Sequence, residues 1–164
     1  MRLALAPLLL ALASPLAAQP RDNPQIDYPG FQRLAGEVAP LRDGRFVDLA
    51  RFHAMAANPR TLVLDARSRE AFAAGHIEGA VNLPFTDFTA ESLAAAIGPD
   101  RNRPILIYCN NNFSNNAPPV MRKLITVALN IQTFINLVGY GYRNVWELNE
   151  VVDFNDPRVR WVRG

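Results

Sequence analysis

Five short apolar runs constrain this chain more than any other feature: "RFV" (45–47), "TLVLD" (61–65), "AVNLP" (80–84), "PILIY" (104–108) and "NVWEL" (144–148). Each is too short for a helix with its own core face, and most are rich in β-branched residues, as strands buried on both faces are. Between them lie helix signals. Asp48 caps a helix running to about Ala57 before "NPR", Ser68 caps one through Ala74 that Gly75 ends, and Thr89 caps "AESLAAAI" before Gly98. Pro118 and Pro119 suit a first helical turn. Val120, Leu124, Val127, Ile131, Phe134 and Val138 then recur every three or four residues, which predicts one long helix ended by Gly139. Strands alternating with helices predict an α/β fold: a central, mainly parallel five-stranded sheet flanked by helices on both faces.

The ends read differently. "MRLALAPLLLALASPLAAQP" places one cation at Arg2, an apolar run from Leu3 to Leu12 and then small residues, the order of a secretory signal. Residues 1–18 are read as that signal, with cleavage after Ala17 or Gln19 also open. The apolar run falls short of the ~20 residues that a membrane span needs. An exported chain, periplasmic or secreted and without stable membrane insertion, is expected. Residues 19–44, rich in Pro, Gly, Asp and Arg and without sustained periodicity, read as an extension with a turn at "RDG" (42–44). The domain is placed at 45–152 and a tail at 153–164. A formal charge of +2 without a Lys/Arg cluster gives no warrant for nucleic-acid binding.

The chemistry centres on "ILIYCNNNFSNN" (105–116), which holds the only cysteine. One cysteine makes no intramolecular disulfide, so Cys109 is either a small core residue or a thiol kept for its reactivity. In parallel sheets functional groups gather beyond the carboxyl ends of the strands, where Asp65 and Cys109 both fall. A thiol followed by a tight loop and a helix faces unpartnered N–H groups, which lower its pKa and favour an anionic adduct. Asparagine tolerates positive φ next best after glycine. Asn110, Asn111, Asn112, Asn115 and Asn116 are thus expected to shape an anion nest, their amides adding neutral donors. The competing reading is a polar surface turn.

"LDARSREAF" (64–72), "GHIEGAVNLP" (75–84) and "ILIYC" (105–109) together resemble the rhodanese domain family over roughly residues 45–150. The resemblance implies sulfurtransferase activity. Cys109 would take sulfane sulfur from a donor such as thiosulfate and pass it as a persulfide to a thiol or cyanide. Asn110, Asn111, Asn112, Phe113, Ser114 and Asn115 would then form the substrate cradle, with no cofactor and no metal; the resemblance indicates no particular protein partner. His76, inside the signature, and His53, on an amphipathic helix, read as packing residues. Arg67 could greet an anionic donor, or pair with Asp65 or Glu70. The loop departs from the family in carrying no basic residue and in its length. Related phosphatases use Cys-x5-Arg, and Asn115 in place of that arginine disfavours phosphatase chemistry. A second class of function, a rhodanese-fold binding module that turns over nothing, predicts the same fold.

Overall fold

The computed structural model describes residues 23–163, so the leader read at 1–18 lies outside the described residues. Strands β1 (Phe46–Val47), β2 (Leu62–Asp65), β4 (Ala80–Asn82), β5 (Ile105–Tyr108) and β6 (Val145–Leu148) form one sheet in the order β1-β6-β5-β2-β4, every neighbouring pair parallel. The five apolar runs all become these strands. Helices α2 (Leu49–Ala56), α3 (Arg69–Ala74) and α4 (Ala90–Ile97) start where the sequence placed them, because the Asp48, Ser68 and Thr89 side chains accept the free N–H groups of their first turns.

Alternation along the central strands supplies two cores. Leu62, Leu64, Ile105 and Ile107 point to one face, with Leu93 and Ile97 of α4 and Phe134 of α5 (Leu129–Gly139). Val63, Leu106 and Tyr108 point to the other, with Leu49 and Phe52 of α2, Phe113 and Val159. Burial of each such side chain contributes about 1.5–3 kcal/mol, which is why both faces of β5 are fully covered.

Three segments depart from the sequence reading. Residues 28–43, read as extension, form the 16-residue helix α1 (Tyr28–Asp43), capped by Asp27. Its Leu34, Ala35, Val38 and Leu41 pack against the first core beside α5. Pro40 and two glycines hid that stripe, and tertiary packing outweighs their poor helix propensity. Second, the long helix from Pro118 does not form. Residues 117–124 are irregular, Ile125–Val127 make a 3-10 turn, and the α-helix begins only at Leu129. Of the early periodic positions only Val120 is buried; Leu124 is 69% and Val127 49% exposed. Asparagine side chains take the backbone groups of this strap: Asn110 Nδ2 donates to Met121 O (2.8 Å), Asn111 Nδ2 to Lys123 O (2.8 Å), and Asn111 Oδ1 accepts from Lys123 N (3.0 Å). Third, the chain beyond residue 153 is packed. A 3-10 turn at Pro157–Val159 leads to β7 (Trp161–Val162), antiparallel to β3 (His76–Ile77).

Candidate active site

Strand β5 delivers Cys109 past the carboxyl edge of the sheet in extended conformation, and a 3-10 turn over Asn110–Asn112 folds the chain back at once. Asn112 is the brace of that turn. Its Oδ1 accepts from the Cys109 amide (2.9 Å) and from Asn130 Nδ2 (3.1 Å), while its Nδ2 donates to Leu148 O (2.7 Å) and Glu150 O (3.1 Å). Every hydrogen-bonding site of this buried amide is used, so its orientation is set by the network. From Asn130 the network continues to Glu147 Oε1 (3.2 Å), and Arg42 of α1 grips Glu147 with two bonds of 2.8 Å.

Cys109 is 1% exposed and helps to line a cavity of about 220 Å³ together with Ile125, Ala128, Ile131 and Glu147. Burial pushes the thiol pKa up, the Glu147 charge adds to that, and the backbone N–H groups of Asn130, Asn111 and Leu129 oppose it. The net shift is upward. The Cys109 side chain accepts from the Asn112 amide of its own turn, and the first turn of α5 lies close by, with an N-cap, Ala128, that offers no side chain to occupy its free N–H groups. The expected lowering of the thiol pKa is overturned because desolvation of a thiolate outweighs three amide hydrogens.

The asparagines also work differently from expectation. Among Asn110, Asn111, Asn112, Asn115 and Asn116 only Asn116 has positive φ, at 44°. Their amides bind protein rather than the cavity: Asn110 and Asn111 hold the strap, Asn115 bonds Asp153 Oδ1 (2.8 Å) and the Phe154 amide (3.0 Å), and Asn116 Oδ1 accepts from Arg122 N (3.1 Å). Phe113 is fully buried, edge-on to Tyr108 and Trp161, and Ser114 bonds Val152 O. Thus Asn112 gives its backbone N–H to the Cys109 side chain, whereas Phe113, Ser114 and Asn115 anchor the loop.

Arg67 is engaged mainly with Asp65, although its buried Nη1 has no hydrogen-bond partner and the residue helps to line a second groove. It is buried, pairs with Asp65 through bonds of 2.6–3.0 Å, donates to Gly75 O (2.7 Å) and lies over the rings of Tyr108 and Trp161. The Tyr108 hydroxyl donates to Asp65 Oδ2 (2.6 Å) and accepts from the Ile77 amide (3.1 Å). Burial, with the Asp65 charge, raises the Tyr108 pKa far above its usual value, so the phenol stays a donor. His76 stacks on Phe72 and bonds its carbonyl (2.9 Å). That second groove, of about 490 Å³, is lined by Ala66–Ala71, Pro84–Asp87, Asn110, Lys123 and Leu129.

Sequence reasoning missed Arg42, Leu129, Asn130 and Glu147. Two signals were present: a glutamate inside the apolar strand "NVWEL", and an asparagine on the apolar face of a helix. Buried polar groups of this kind need partners, and here they find one another.

A parallel α/β domain with one cysteine at the carboxyl end of its central strand, met there by loop and helix amides, defines a cysteine-centred class of site. The family model of the rhodanese-like domain matches residues 48–150, and the chain belongs to that family. The tRNA uridine(34) hydroxylase of Bradyrhizobium diazoefficiens is 37% identical over 92 residues, covering 47% of this chain and 34% of that protein. The chain thus spans about a third of the length of that relative. Among solved structures, the Alr3790 protein from Anabaena sp. aligns with a TM-score of 0.45 at 20% identity, over 64% of this chain and 70% of its own. The polysulfide-sulfur transferase homodimer from Wolinella succinogenes aligns at 0.42 and 14%, over 73% and 79%.

Proposed function

We propose that this protein carries sulfane sulfur on Cys109 and transfers it to a thiophilic acceptor. The observation that supports this reading best is the placement of the chain's only thiol at the carboxyl end of the central strand, where its side chain accepts from the Asn112 amide beside a cavity the size of a small molecule. The thiolate attacks the outer sulfur of the donor, the S–S bond of the donor breaks, and the leaving anion takes the electron pair. Backbone amides at the site then hold the terminal sulfur of the persulfide until an acceptor thiolate or cyanide removes it.

The test is intact-mass analysis of the purified protein after exposure to sulfane donors. Gain of one sulfur on Cys109, its loss to cyanide and its absence in Cys109→Ser are expected. If no donor adds sulfur, the alternative is a rhodanese-fold binding module, a reading that the deep burial of the sulfur favours. We further propose, from Arg2 and the Leu3–Leu12 run, that the protein acts after export, which fractionation of cells expressing the full chain would check.

A further inference from the structure

The cavity beside Cys109 carries an uneven charge. Of its lining residues only Arg42, Glu147 and Glu150 are charged, one cation against two anions. Arg42 Nε and Nη2 both donate to Glu147, so this cation is engaged in a bidentate pair with the carboxylate beside it. Glu150 Oε2 accepts from the Leu49 amide (3.0 Å) and its charge acts on Arg158, which leaves Glu147 as the carboxylate that bears on the sulfur. The remaining wall is asparagine amide and aliphatic carbon from Ile125, Ile131, Leu148 and Val151. Lys123 lines the second groove, with Asn110, and not this cavity.

We infer that Glu147 is a specificity-determining residue, and that the site takes uncharged sulfane sulfur, such as elemental sulfur or an organic polysulfane, in preference to a dianion such as thiosulfate. This rests on the sulfur-transfer reading above. A dianion entering the cavity meets a fixed carboxylate in a medium that screens charge poorly, whereas an uncharged sulfur chain meets aliphatic wall. With elemental sulfur, the Cys109 thiol gives its proton to solvent, the thiolate attacks one ring sulfur, and the adjacent S–S bond opens. Its electron pair stays on the far end of the opened chain as a perthiolate. No external oxidant or reductant enters the balance.

The experiment measures Cys109 sulfur addition by intact mass with thiosulfate and with elemental sulfur, in the wild type, Glu147→Gln and Arg42→Gln. The ratio of the two rates within one variant cancels the thiolate fraction, which each substitution also changes. Elemental sulfur is expected to react about tenfold or more faster in the wild type. Glu147→Gln should raise the thiosulfate-to-sulfur ratio, and Arg42→Gln, which strips the carboxylate of its partner, should lower it further. Thiosulfate reacting as fast as elemental sulfur in the wild type, or a ratio unmoved in both variants, overturns the assignment while leaving sulfur transfer intact. Failure of both donors in folded wild type removes the sulfur-transfer reading and this inference with it. Should one variant not fold, the other still moves the ratio in a stated direction.

Discussion

Burial holds the proton on Cys109. Because the thiol pKa lies above its ordinary value of 9.0, the thiolate is a small fraction at neutral pH and grows as pH rises. Alkylation by iodoacetamide, followed by mass, should therefore accelerate about tenfold per pH unit with no plateau by pH 9. A plateau near neutrality would mean that the amide donors win over desolvation. Asn112 offers a second residue-level test. Its Nδ2 faces two carbonyl oxygens, so Asn112→Asp sets a carboxylate oxygen against both, while its other oxygen can still accept from Asn130 Nδ2. A loss of about 2–3 kcal/mol in urea unfolding is expected, and a neutral result would show that the amide network does not hold the turn. Neither role was legible in the sequence. Five asparagines look alike as letters, and what separates Asn112 from Asn115 is which distant carbonyl each one meets.

Elements that carry their own signals were readable, and those defined by partners were not. β2 and β5 are apolar runs whose every residue is buried, and α2, α3 and α4 open on side chains that satisfy their own first turns. α1 lacks such clarity because Pro40 and its glycines speak against a helix, and only the groove beside α5 settles the matter. The strap over 117–128 misled in the opposite direction. Its apolar spacing has helical phase, yet Asn110 and Asn111 claim its backbone groups first. Asn111→Ala removes two of those bonds at an exposed site. Hydrogen exchange at the Lys123 amide and iodoacetamide labelling of Cys109 should both quicken by about fivefold, the share of two modest hydrogen bonds. Unchanged labelling would show that the strap does not guard the sulfur.

At the scale of the whole molecule, the region past residue 153 closes the second core. Val159 is fully buried, and Trp161 lies against Arg67, Phe113 and Phe154 while its strand pairs with β3. Gly75, the first residue of the signature, lets the indole approach: a Cβ there would collide with the Trp161 ring. Gly75 is thus explained by a segment some eighty residues away, which no local reading of "GHIEGAVNLP" supplies. Trp161→Ala should cost about 3 kcal/mol in thermal or urea unfolding, and Gly75→Ala should be destabilising in the wild type but much less so once Trp161 is already alanine. Additive losses would break the link between the two.

A solitary thiol also determines how this molecule ages. Many peroxide-exposed cysteines are rescued when a neighbouring thiol condenses with the sulfenic acid, and here no such neighbour exists anywhere in the chain. An oxidant that reaches Cys109 therefore leaves only an outside thiol to reverse the damage, and without one the sulfur proceeds to the sulfinic state and is lost to service.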